Sequence, residues 1–341
     1  MKKKVYVVLG MPRSGTSAIT RALPAMGVNL GDALLPADVR NAKGFFEDAE
    51  VLYKINRVVS AAVHQRWMPL NLDPQLIDKD AALKRCKHYA VGVLSERLAS
   101  VPAWGFKDPR TLSVFPFWRS VLNTLGVDES YIIVVRNPLA AAHSVARFAH
   151  TDVKSGLLLW LRFMFTALEA TEGKNRVVVS YENMVNQPRH ELVRLQRALN
   201  REGVMSEADL SAYCDQFIDK KLRHHEYTYD DLKDDPDVGM MPEIKEWYDF
   251  LLMLANNQLS FDSPEYREHF NEVKAQWQAM RPTADYIALL HEQQKNLERD
   301  FRAVKKSWFF KLISPLVKGE LALRRFRRRL RSRERELMHA S

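Results

Sequence analysis

The chain has 341 residues, 46% hydrophobic and 27% charged, with a net charge of +9. That length predicts a main domain with an extension, and two distant cysteines, Cys86 and Cys214, exclude a disulfide framework or a zinc-type ligand spacing and suit a reducing compartment. No run reaches the ~20 apolar residues of a membrane span, and the five apolar residues after Met1-Lys2-Lys3-Lys4 are too few for a signal peptide.

Val5 to Leu9 is apolar and β-branched, short enough for a buried parallel strand. It runs into Gly10-Met11-Pro12-Arg13-Ser14-Gly15-Thr16-Ser17, and residues 17–27 read as a helix ending near Gly27. A strand, a tight glycine loop and a helix start direct backbone N–H groups at one spot and so form an anion site. GxxxxG is present, but Thr16 stands where a triphosphate-binding loop carries Lys. Arg13 supplies the cation inside the loop instead. This favours a nucleotide with a shorter anionic tail over triphosphate hydrolysis.

Gly31 to Phe46 reads as a loop leading into Gly44-Phe45-Phe46-Glu47-Asp48. Residues 49–63 look helical, with Val51, Leu52, Ile55, Val58 and Val59 on one side. Trp67 to Pro74 reads as loop and residues 78–100 as helix. Trp104 to Lys107 suggests a short strand that turns at Asp108-Pro109. A helix over Phe115–Leu125 precedes the strand Tyr131 to Val135, which runs into Arg136-Asn137-Pro138 and a helix through Phe148. Residues 155–172 form a helix apolar almost all round, which predicts burial on several sides. Arg176 to Tyr181 is a further strand, and the next helix starts near Arg189.

Beyond residue 200 the β signal ends. Residues 206–225 look helical, and the acidic stretch Tyr229 to Pro242 reads as a surface loop or hinge. Residues 243–259, 264–280 and 283–305 read as helices. The last carries Tyr286, Leu289, Leu290, Leu297, Phe301 and Val304 on one stripe, suited to docking or to a short coiled coil between copies.

The alternation predicts an α/β fold: a P-loop-like, mostly parallel sheet flanked by helices, with an all-α C-terminal extension. The domain reading is 1–235 for the α/β domain, 236–305 for a helical extension and 306–341 for a basic amphipathic tail. Every polar cluster follows a strand-like run, so all of them converge on the carboxyl edge, where open parallel sheets bind ligands.

With Arg13 and the later motifs in place, the chain resembles the sulfotransferases that use 3′-phosphoadenosine 5′-phosphosulfate, in particular their bacterial carbohydrate-type and tyrosylprotein-type branches. The resemblance spans residues 5–190. It implies that Gly10, Pro12, Arg13, Ser14, Gly15, Thr16 and Ser17 hold the 5′-phosphosulfate. Arg136-Asn137-Pro138 through Ser144 is similar to the family's 3′-phosphate motif, which makes Arg136 and Ser144 ligands of that phosphate. Tyr181-Glu182 is similar to a strand-end element; Tyr181 would approach the nucleotide, and Glu182 would hold Arg136 or a helix terminus. Gly44 to Asp48 resembles an aromatic-Glu element that supplies the base, and Gly105 to Arg110 a Lys-Asp-Pro element whose Lys contacts the sulfonate.

The implied chemistry makes Glu47 the base, with Lys107 and Arg13 meeting charge on the sulfonate and leaving group. The family uses no metal here. Asp108 is the nearest candidate for one, but Pro109 and Arg110 beside it favour a structural or substrate role. His64 is the alternative base, and His143 reads as structural. Arg40, Arg66 and Arg110 are placed to line a pocket for an anionic sugar, and Phe45, Phe46 and Trp67 to stack on sugar faces. The implied acceptor is a carbohydrate or glycolipid hydroxyl. Two other classes stay open: a P-loop kinase-like NTPase, and a non-catalytic nucleotide-binding scaffold of polysaccharide assembly.

Residues 301–341 hold 13 Lys or Arg and 3 Asp or Glu, so the basicity belongs to the tail and the other 300 residues are near neutral. Trp308, Phe309 and Phe310 beside arginines 324–329 suit a peripheral membrane contact through 306–335, at the cytoplasmic face. A solvated basic helix is the plainer reading. No nucleic-acid motif accompanies the charge.

Overall fold

A computed structural model describes residues 3–38, 41, 43–63, 72–149, 151–219, 226–310, 312–316 and 319–320. Four strands form one sheet: β1 (Lys4–Gly10), β2 (Ala103–Lys107), β3 (Asp128–Val135) and β4 (Asn175–Ser180). Their order is β2-β1-β3-β4, and every pairing is parallel. The helices are α1 (Thr16–Ala22), α2 (Arg57–Ala62), α3 (Pro74–Lys79), α4 (Ala81–Ser100), α5 (Phe115–Leu125), α6 (Pro138–Ala149) and α7 (Val153–Ala170). After β4 come α8 (Tyr181–Asn186), α9 (Pro188–Ala198), α10 (Glu207–Ser211), α11 (Tyr229–Asp234), α12 (Pro236–Gly239), α13 (Glu243–Ala255) and α14 (Pro264–Lys306). This is the α/β fold with a helical C-terminal region that the alternation predicts.

The strands are apolar on both faces because both faces are covered. Tyr6, Val8, Ile132, Val134, Val177 and Val179 face α1 and α9, where Ile19, Leu23, Leu192 and Leu195 complete one core layer. Helices α7 and α13 cover the other face. Helix α7 is buried from Leu159 through Phe165, as its all-round apolarity predicts, and it includes the buried Arg162 over the Trp277 ring at 5.6 Å.

The register brings the strand ends level. Val8 pairs with Lys107, Gly10 with Val134, and Val135 with Ser180. The residues that follow each strand therefore meet at one edge. The reversal of strand order at β1 places a crevice there.

Several local expectations are corrected. Residues 49–63 are helical, but Glu50–Asn56 is wound as a π-helix before α2. The extra residue per turn shifts the apolar phase, so Val59 is buried while Val58 is exposed. The predicted helix over 78–100 is broken at Asp80, whose carboxylate caps α4 by accepting from Ala82 and Leu83 N–H. The helix expected near Arg189 is α9, which starts at Pro188; a short helix missed in the sequence precedes it, α8, where Ser180 Oγ accepts from Asn183 N–H. The acidic stretch after Tyr229 is not a loop. Thr228 and Asp231 form a capping box for α11, and Asp235 caps α12. The two helices expected over 264–280 and 283–305 are one, α14, which carries Pro282 inside it.

The chain divides into two compact units, Met1–Ala279 and Met280–Ser341. In the second, Tyr286, Leu289, Leu297 and Phe301 are exposed. The basic tail beyond residue 320 lies outside the described residues. Among the described residues no helix is long and apolar enough to cross a membrane.

Candidate active site

The loop after β1 is held by sterics as well as hydrogen bonds. A Cβ on Gly10 would lie 2.9 Å from Thr16 Cγ2 and 3.1 Å from the Val134 carbonyl. Gly15 has φ +80°, and a Cβ there would lie 2.1 Å from Tyr181 Cδ2. The Tyr181 ring is thus laid directly on the loop. Arg13 also adopts a left-handed backbone, with φ 70°. Its carbonyl accepts from Arg136 Nη1 at 2.8 Å, and its own Nε donates to Ser144 Oγ at 3.3 Å. The Arg136 guanidinium stands over the Tyr181 ring at 4.8 Å. Trp160 Nε1 donates to the Arg136 carbonyl at 3.1 Å and fixes the end of β3. Arg13, Arg136 with Ser144, and Tyr181, from three separate stretches, are therefore one assembly.

Asn137 and Glu182 build the surrounding frame. Asn137 Oδ1 accepts from Leu139 and Ala140 N–H and caps α6, while its Nδ2 donates to the carbonyls of Tyr227 and Thr228. Glu182 Oε1 accepts from Asn137 N–H at 3.1 Å. That bond sets Glu182 at the start of α6, a helix terminus being one of the two partners expected for it. His143 stacks on Tyr227 at 4.9 Å.

A second cluster meets the loop at Ser17. Lys107, the last residue of β2, is 2% exposed. Its ammonium donates to Glu47 Oε1 at 2.8 Å and to Ser17 Oγ at 3.2 Å. Ser17 Oγ also accepts from Asn41 Nδ2 at 3.2 Å and donates to the Phe45 carbonyl at 3.2 Å. Glu47 is buried, and the neighbouring Asp48 is ion-paired with Arg97 at 2.8 Å. Burial pushes the Asp48 carboxyl up; hydrogen bonds from Val51 and Glu50 N–H and the charge of Arg97 act against that.

These parts line one cavity of about 360 Å³. Of the predicted site residues, Pro12, Arg13, Gly15, Thr16, Ser17, Glu47, Lys107, Arg136 and Tyr181 line it. Gly10, Ser14 and Ser144 stand behind that lining; the buried Ser14 Oγ has no hydrogen-bond partner among the described residues. Of the acceptor-side residues, Phe45 and Arg110 line the cavity, whereas Phe46 packs behind it, edge-on to Phe217 at 5.8 Å. His64, Arg40, Arg66 and Trp67 lie outside the described residues. Sequence reasoning missed Asn41, Lys43, Tyr53, Arg57, Phe148 and Phe217, which also line the cavity. Arg57 alone carried a signal, as a cation one helical turn past an aromatic residue. Six cations and two carboxylates face this space, so it is built for an anion. Asp108 serves structure: it caps the turn after β2 and accepts from Asn56 Nδ2 at 3.0 Å. Among the described residues no group of His, Cys, Asp and Glu side chains has the arrangement of a metal site.

The sulfotransferase domain from the Synechococcus PCC 7002 olefin synthase is 16% identical, with 81% of this chain and 95% of that one covered and a TM-score of 0.39. The sulfotransferase domain from the curacin biosynthetic pathway is 17% identical, with 62% and 78% covered and a TM-score of 0.36. No curated protein matches the sequence. A family model described as "Sulfotransferase family" matches residues 6–204, a span that takes in the loop after β1, Glu47, Lys107 and the Arg136 assembly. More than half of the chain is matched by that model, and the chain belongs to the sulfotransferase family.

Proposed function

We infer that the cavity transfers a sulfonyl group from 3′-phosphoadenosine 5′-phosphosulfate to a hydroxyl of a carbohydrate or lipid-linked glycan, in the modification of a bacterial surface polysaccharide. The observation that carries this reading is the Lys107 ammonium, bonded at once to Glu47 and to Ser17 of the glycine loop. It joins a carboxylate able to take a proton to a loop suited to an anionic donor. The residues fit that donor on a further count: cations outnumber carboxylates in the cavity.

In this reading Ser14 to Ser17 and Arg13 bind the 5′ end of the donor, and Arg136, Ser144 and Tyr181 the 3′-phosphate. A planar guanidinium can grip a phosphate through two N–H groups. Glu47 accepts the proton of the attacking hydroxyl as its oxygen bonds to sulfur. Lys107 and Arg13 meet the negative charge that gathers on the sulfonate and on the departing phosphate oxygen. Phe45 and Tyr53 offer apolar faces suited to a sugar ring.

Radiosulfate labelling of surface polysaccharide, in cells with and without the protein, tests the proposal. Labelling that requires the protein and is lost with Arg13→Ala supports it. Equal labelling in both strains contradicts it.

A further inference from the structure

The cavity has a second wall to which the donor reading assigns no residue. Tyr53 and Arg57 reach it from the π-helical segment and α2, and Pro109 and Arg110 from the turn after β2. Buried polar groups lock these two elements together. Asn56, fully buried, donates to Asp108 Oδ2 at 3.0 Å and to Thr111 Oγ1 at 3.2 Å. Trp118 Nε1 holds Asn56 from the other side, donating to its Oδ1 at 2.6 Å.

That lock orients the Arg110 guanidinium through Asp108 and fixes the helical turn that carries Arg57. Asp108, 1% exposed, accepts from Arg110 Nη1 at 3.0 Å and from the Arg110 N–H at 2.9 Å. Arg57 follows Asn56 directly in sequence, and its guanidinium lies over the Tyr53 ring at 4.6 Å. A buried carboxylate is costly to keep, and Asp108 is kept where it orients a cation lining the cavity. Neither arginine belongs to the assembly of Arg13, Arg136, Ser144 and Tyr181. A neutral sugar is recognised by amides, hydroxyls and aromatic faces; two oriented guanidinium forks match carboxylate or phosphate oxygens.

We propose that Arg57 and Arg110 bind a negative group on the acceptor itself, so that the acceptor is an acidic glycan, with a carboxylate or phosphate near the hydroxyl to be sulfonated. The proposal rests on the sulfonyl-transfer reading of the same cavity. It goes further than the anionic-sugar pocket expected around Arg110 by pairing that residue with Arg57 through the Asn56–Asp108 contact.

Calorimetric titration of the full chain, saturated with 3′-phosphoadenosine 5′-phosphate, tests it with three probes. These are oligosaccharides rich in hexuronic acid, the same pool after reduction of its carboxyl groups to alcohols, and a phosphorylated oligosaccharide pool. The expected result is that one acidic pool binds at least ten-fold more tightly than the reduced pool, and which one does so identifies the anion. Arg57→Gln and Arg110→Gln should each erase most of that difference and leave bisphosphate affinity unchanged, which also reports that the variants are folded. Equal affinity for all pools, or no binding of any, overturns the proposal. So does a difference that survives both substitutions. Failure of the wild-type chain to bind the bisphosphate counts instead against the donor reading beneath it.

Discussion

The Lys107 ammonium lies 2.8 Å from the Glu47 carboxylate, both side chains are buried, and Ser17 of the glycine loop accepts from the same ammonium. The base and the cation of the proposed mechanism are thus one unit. Glu47→Gln should lower kcat by about 10²–10⁴-fold, and Lys107→Ala by about 10²–10³-fold. Groups that act as a unit are non-additive, so the double variant should be no worse than the poorer single one. Steady-state kinetics on the four proteins checks this.

The same pair makes a separate prediction about stability. Breaking a buried ion pair by removing one partner costs about 3–5 kcal/mol, whereas replacing both with apolar groups of similar volume is often neutral. Lys107→Ala should therefore lower the unfolding free energy, and Lys107→Met combined with Glu47→Leu should restore most of it with no activity. Chemical denaturation read against activity separates the two roles.

Gly15 and Tyr181 should be strongly coupled. Gly15→Ala puts a methyl carbon 2.1 Å from the tyrosine ring, at φ +80°. The backbone strain alone costs about 1–2 kcal/mol, and the displaced ring also leaves Arg136 without its stacking face. Combined with Tyr181→Ala, the substitution should cost clearly less than the sum of the two singles. Thermal unfolding and bisphosphate affinity of the double-mutant cycle both read this.

Stability should fall in alkali. Burial pushes the Cys86 thiol up from 9.0 to about 11 and the Tyr266 phenol up to about 12, and it raises Tyr131 and Tyr213 further. These groups stay neutral in the folded chain while the unfolded chain loses their protons. Their contribution is complete below pH 9 and is lost for Cys86 as pH rises from 9 to about 11. Tm should be flat from pH 7 to 8.5 and decline above that. Cys86→Ala should flatten the first part of the decline.

Much of this was legible in the sequence. Three strands announced themselves as short β-branched runs and β2 as the aromatic stretch before Asp108-Pro109, and the parallel register then delivered Arg13, Lys107, Arg136 and Tyr181 to one edge. What was hidden depends on long-range packing. That Asn56 holds Asp108, and that Arg57 thereby shares a wall with Arg110, follows from a contact across 52 residues. Phe217 reaches the cavity because Tyr213 anchors its segment to the Ala18 carbonyl. The helices after Tyr229 were legible in principle. The capping residues Thr228, Asp231 and Asp235 were in view, but acidity and proline suggested a loop where they act as helix starts. The π turn over Glu50–Asn56 leaves no mark in a pattern read at the ordinary helical period.

The donor is the centre of the account, and one titration tests it directly. Wild-type protein and Arg136→Ala are each titrated with 3′-phosphoadenosine 5′-phosphate and with ATP plus magnesium. The account predicts that the wild type binds the bisphosphate far more tightly than ATP and that Arg136→Ala weakens the bisphosphate at least ten-fold with little effect on ATP. Preference for magnesium-ATP, or a bisphosphate affinity indifferent to Arg136, would contradict it.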